Sequence, residues 1–131
     1  MSRLLNYLLV LVVVLFCGSL QAEDWAQFRG PNASGVSSES KDLPVEFSFE
    51  KNVLWKKILG EGIACPIVVQ GRVIATTMAD KQTFSIRCLN AASGDQYWSR
   101  DFKVSGLPAI TSPNTPASST PASDGKRVYV F

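Results

Sequence analysis

Residues Cys65-Pro66-Ile67-Val68-Val69-Gln70-Gly71-Arg72-Val73-Ile74-Ala75 have a counterpart 55 positions later in Thr120-Pro121-Ala122-Ser123-Asp124-Gly125-Lys126-Arg127-Val128-Tyr129-Val130. In each copy a proline (Pro66, Pro121) opens the segment and a glycine (Gly71, Gly125) marks a turn. A basic residue then precedes an apolar run. Repetition of this kind points to an array of small β units that bury their faces against one another. The second copy reaches Phe131 in the middle of a strand. The chain is therefore expected to be the N-terminal piece of a larger β-repeat protein.

The first 22 residues do not belong to that array. Arg3 supplies a positive start, residues 7–16 are unbroken apolar, and Leu20-Gln21-Ala22 places small Ala22 before Glu23. This is the layout of a secretory signal peptide. The run is shorter than the roughly 20 apolar residues of a membrane span. Cys17 follows bulky Phe16 and so lacks the small neighbour that lipid attachment wants. The expectation is export to the periplasm or cell envelope, with no membrane span once residues 1–22 are removed.

The remaining 109 residues carry 12 basic and 11 acidic side chains, with no basic block. Phosphate binding needs clustered Lys and Arg, so nucleic acid is not the expected partner. The chain has no histidine. That excludes a His-dependent nucleophile within it and any His-containing zinc site. Cys65 and Cys88 are open to two readings, a disulfide or two separate buried thiols. Positions on the first and third strands of one sheet favour the thiols. Asp24, Asp80, Asp95 and Asp124 are scattered at turn positions, which turn chemistry explains without a metal. Lys56-Lys57 and Lys126-Arg127 read as solvated charge pairs.

Residues 23–51 read as an irregular lead-in held down by Trp25 and Phe28. Residues 52–59 read as a strand ending at Gly60-Glu61-Gly62. Residues 64–69 and 73–77 then form a hairpin around Gln70-Gly71, because a tight turn needs positive φ. A turn at 79–82 leads to residues 83–89, where Phe84, Ile86 and Cys88 alternate with Ser85 and Arg87. Period two marks a half-buried strand. A turn at 91–95, with Gly94 in the left-handed position, leads to a fourth strand at 96–102. The result is one four-stranded antiparallel meander. Trp55 and Trp98 stand 43 residues apart, each ahead of one hairpin copy, and are expected to fill space between units. The spacing from tryptophan to proline is 11 residues in the first copy and 23 in the second, which makes residues 106–119 an inserted loop. No amphipathic helix is expected after residue 22. A repeated four-stranded unit of about 40 residues is what a β-propeller blade looks like. The fold class expected is all-β, with the lead-in, one whole blade and the start of the next.

Particular residues also carry a family likeness. Asp24-Trp25-Ala26-Gln27-Phe28-Arg29-Gly30-Pro31-Asn32, Gly35-Val36-Ser37 and Asn52-Val53-Leu54-Trp55-Lys56 resemble the opening of bacterial exported proteins with quinoprotein-like (PQQ-like) propeller repeats. Cys88-Leu89-Asn90-Ala91-Ala92-Ser93-Gly94-Asp95-Gln96-Tyr97-Trp98 resembles that family's repeat core, although Asn90 stands where an acid is usual. Asn90 is expected to cap the turn just as well. Asn114-Thr115-Pro116-Ala117-Ser118-Ser119-Thr120-Pro121 is similar to the entry into the next repeat. The resemblance implies a ring of about seven or eight blades. It implies two kinds of function. One is a non-catalytic scaffold for protein–protein or cell-envelope interaction, similar to the propeller subunit of outer-membrane protein assembly. The other is the N-terminal part of a PQQ-dependent dehydrogenase, which holds its quinone with calcium and an adjacent cysteine pair. Cys65 and Cys88 are not adjacent, and no carboxylate–amide set matches the family's. No catalytic, cofactor-binding or metal residue is therefore expected in this chain, and the scaffold is the favoured expectation. The positions singled out are those of the repeat: Trp55, Trp98, Gly71, Gly94, Gly125, Pro66 and Pro121.

Overall fold

The computed structural model describes residues 23–38 and 43–131, so the expected leader at 1–22 lies outside them. The described chain is essentially all-β. Six strands form, β1 (Ile67–Val69), β2 (Arg72–Asp80), β3 (Thr83–Asn90), β4 (Gln96–Lys103), β5 (Ala122–Ser123) and β6 (Val128–Tyr129). A single 3-10 turn at Pro31–Ala33 precedes them. The strands β1-β2-β3-β4 make one antiparallel meander, and β5 with β6 makes a separate two-stranded ladder. The four-stranded sheet is not closed on itself.

Local chemistry accounts for each connection. Gln70 and Gly71 both have positive φ, 49° and 70°, and Val69 pairs with Arg72. Two left-handed central residues match the twist of the flanking strands. Between β2 and β3 the turn is tighter than expected. Strand β2 continues to Asp80, Ala79 is accommodated by a bulge, and only Lys81 and Gln82 turn. The Asp80 carboxylate holds that turn by accepting from the Gln82 amide and the Thr83 hydroxyl, each at 2.8 Å. Between β3 and β4, the Asn90 side-chain oxygen accepts from the amides of Ala92 (2.7 Å) and Ser93 (3.1 Å). Asn90 thus caps its turn as an acid would.

The core lies on one face of the sheet. Ile67, Val69, Ile74, Ile86 and Cys88 are buried together, and Ala26, Phe84, Trp98, Val128 and Val130 pack against them. Full burial of each such aliphatic side chain is worth about 1.5–3 kcal/mol. Strand β3 is covered on its other face as well, which alternation alone does not predict. Ser85 is fully buried there and its hydroxyl donates to Asp101 at 2.6 Å. Arg87 reaches the same pair, 3.3 Å from the Ser85 oxygen and 3.7 Å from Asp101.

Three expectations are corrected. Residues 52–59 form no strand. Val53, Leu54 and Ile58 are exposed, because apolar, β-branched residues make a strand only where a neighbouring edge takes their backbone. Trp25 and Glu61, rather than residues 52–59, make the isolated bridges to β1 and β2. Phe28 does not hold the lead-in, being 58% exposed. Cys65 lies ahead of β1 and is exposed, so of the two thiols among the described residues Cys88 alone is buried on a strand.

Candidate functional site

The two sequence copies become two hairpins of identical register. Ile67 pairs with Ile74 and Val68 with Val73 in the first. Ala122 pairs with Tyr129 and Ser123 with Val128 in the second. Each residue of the second set lies 55 positions after its counterpart. The turns differ in chemistry while the register holds. In the second hairpin only Gly125 has positive φ, at 83°. Asp124 closes the turn by accepting from the amides of Lys126 (2.8 Å) and Arg127 (2.6 Å).

The hairpins also touch through equivalent residues. The Cys65 amide donates to the Thr120 hydroxyl at 3.2 Å, and the Gln70 side-chain amide donates to the Gly125 carbonyl at 3.1 Å. Both pairs are separated by the repeat length. Val128 and Val130 of the second hairpin complete the apolar cluster of the first sheet. The repeat in the sequence is thus a stacking contact in space.

The lead-in joins the two hairpins at one repeat position. Trp25 and Val68 exchange backbone hydrogen bonds of 2.7 and 3.0 Å on the outer edge of β1. The next residue, Ala26, accepts from the Ser123 amide at 2.8 Å. Val68 and Ser123 are counterparts in the two copies. Asp24 adds a third tie by accepting from the Gln70 amide at 2.8 Å. The Trp25 ring covers Gly30, where an added Cβ would come within 2.4 Å of it. The sequence marks Trp25 as an anchor of the lead-in. That its backbone pairs as a strand was not legible, since its partner lies 43 residues away.

The join is completed by a bulge before β1. Glu61 exchanges backbone hydrogen bonds with Met78, whereas Ile67 pairs with Ile74. The five residues 62–66 therefore face only the three residues 75–77 of β2. Pro66 brings no N–H to this stretch. The gap is filled by the end of the inserted loop. Thr76 donates through its hydroxyl to the Ser119 carbonyl (3.3 Å), and Ala117 and Pro121 are buried. Of the inserted loop, residues 106–114 are exposed, whereas Thr115, Pro116 and Ser118 are half-buried around buried Ala117. Farther along, Phe84, Val104, Leu107, Pro116 and Phe131 line an apolar groove of about 250 Å³.

Trp55 and Trp98 are not in equivalent places. Trp98 lies on β4 opposite Cys88 and packs against the core. The Arg100 guanidinium lies 5.8 Å from the centre of its ring. Trp55 is outside any strand. Its indole N–H donates to the Ala91 carbonyl at 2.9 Å, and its ring covers Gly94.

The titratable groups serve the turns. Amide donation from Arg127 and Lys126, together with the Tyr129 hydroxyl at 2.8 Å, holds the Asp124 carboxyl below its ordinary value. The same hydroxyl bond pushes the Tyr129 phenol up. Amide donation from Gln82, then the Thr83 hydroxyl, lowers Asp80. Burial pushes the Cys88 thiol up, with nearby Arg72 opposing. Among the described residues no three His, Cys, Asp or Glu side chains gather in a metal-binding group. No helix among them is long and apolar enough to cross a membrane.

What this site can do chemically is present backbone edges and stacked faces. No family model, no curated protein and no solved structure matches the chain.

Proposed function

We propose that this chain is part of an exported, non-catalytic β-propeller scaffold of the PQQ-like type, working in protein–protein or cell-envelope interaction. The observation that carries the proposal is the pair of hairpins with identical register, touching through residues one repeat apart. Stacked units related in this way are how a propeller or solenoid extends its core. The sequence has no histidine, and the described carboxylates that are perturbed sit in turns, where they cap amides. The near-neutral balance of charge favours a protein or envelope partner over nucleic acid.

The test has two parts. Fractionation of the source cells with an antibody against residues 64–131 is expected to place the native product in the envelope. Equilibrium dialysis of that product against PQQ and calcium is expected to retain no quinone. One PQQ held per chain would replace the scaffold by the dehydrogenase reading, and a cytoplasmic product would refute both.

A further inference from the structure

We infer that the outer edge of β1 and the neighbouring edge of β5 together form a strand-addition site for an extended peptide, filled in cis by residues Asp24–Ala26. The lead-in of a second copy is its natural occupant in trans. This inference does not depend on the propeller reading.

Three consecutive residues make four hydrogen bonds to two separate ladders. Trp25 both donates to and accepts from Val68, Ala26 accepts from Ser123, and Asp24 accepts from Gln70. An unpaired strand edge is a row of donors and acceptors that another extended chain can fill. Here the row is short and spans two units, so the occupant must be extended at Trp25 and Ala26. The second of these positions must be small, because Ala26 packs against the buried cluster around Ile67 and Cys88. The first position of the triplet favours Asp or Asn, whose side-chain oxygen can reach the Gln70 amide. The occupant is therefore a triplet with Asp or Asn first and a small residue third, a pattern this chain supplies to itself in Asp24-Trp25-Ala26.

The lead-in is also built to be exchangeable. It is bound mainly through its backbone, and its aromatic ring is covered by its own Gly30. An incoming segment with the same residues would bring its own cover. Residues 34–36, which follow the 3-10 turn, are exposed and belong to no strand.

The experiment uses the full chain carrying Trp25→Pro, which removes the N–H given to Val68, together with a labelled synthetic peptide of residues 23–36. Fluorescence anisotropy is expected to show the peptide binding the variant at least tenfold more tightly than the wild-type chain, whose site is occupied. A peptide carrying the same Trp25→Pro change is expected not to bind. Equal binding to both chains, or binding to neither while circular dichroism shows the variant's sheet intact, overturns the inference. If the variant fails to fold, hydrogen exchange on the wild-type chain decides. The amides of Val68, Gln70 and Ser123 are expected to open together, ahead of those pairing β2 with β3. Independent opening, or opening no earlier than the β2–β3 ladder, overturns the inference.

Discussion

Replacing Gly94 with alanine is expected to destabilise the fold far more than the same change at Gly71, and the excess should vanish when Trp55 is absent. Both glycines have positive φ, 75° and 70°. Alanine in that conformation costs about 1 kcal/mol at either site. At Gly71 nothing lies within 4 Å of the added Cβ, so the strain is the whole effect. At Gly94 the added carbon would lie 2.7 Å from Trp55 Cδ2 and 2.8 Å from Cε3. The ring must move off. Moving it breaks the bond from Trp55 Nε1 to Ala91, worth about 1 kcal/mol net. It also uncovers part of a large ring, worth about 1 kcal/mol more. Gly94→Ala should then cost about 3 kcal/mol and Gly71→Ala about 1 kcal/mol. In a Trp55→Ala background Gly94→Ala should cost only the strain, leaving a coupling of about 2 kcal/mol. Urea unfolding of the four proteins of the cycle, followed by far-ultraviolet circular dichroism, measures it. Additive effects would refute the assignment of Trp55 to the β3–β4 turn.

Other outcomes are equally open to measurement. Iodoacetamide on the native chain should modify Cys65 and spare Cys88, whose thiol burial pushes up, and peptide mass mapping before and after denaturation reads the difference. Lowering pH should loosen the second hairpin. The Asp124 carboxyl is depressed when folded, so its contribution is complete above the ordinary value near 3.8 and is lost as pH falls through the lower folded value. Amide exchange or NMR shifts at Lys126 and Arg127 report it. Raising pH should do the same from the other side. Tyr129 is raised, so its bond to Asp124 is present below pH 10 and is lost as pH climbs through the higher folded value. Ultraviolet absorbance of the phenolate, compared with a Tyr129→Phe variant, follows that titration. Substituting Asp124 by alanine should speed exchange at Lys126 and Arg127 while leaving β2 and β3 protected.

Much of the first sheet was legible because its chemistry is local. Gln70-Gly71, Asn90 through Gly94, and the alternation from Phe84 to Cys88 each carry their own structure within a few residues. Errors arose where the partner is distant. Residues 52–59 have strand composition, yet composition does not say which edge is free, and it is Trp25 and Glu61 that bridge to β1 and β2. The Pro, Ser and Thr of residues 106–119 look like exposed connection, and residues 106–114 are exposed. Ala117 is nevertheless buried, where the end of the loop meets the bulge beside Gly62. Ser85 reads as a solvent-facing position until Asp101, 16 residues on, takes its hydroxyl bond. Of the junction between hairpins, the register was visible in the repeat itself. The lead-in's double attachment was not, since backbone hydrogen bonds leave no mark on side-chain composition.

The most direct test of the whole account is whether the two hairpins stack through equivalent residues. Nuclear Overhauser contacts on the isotopically labelled chain would be sought between Cys65 and Thr120, and between Gln70 and Gly125. Stacked repeat units predict both, together with cross-strand contacts from Ala122 to Tyr129 that mirror those from Ile67 to Ile74. An intact β1–β4 ladder lacking the Cys65–Thr120 and Gln70–Gly125 contacts would contradict it.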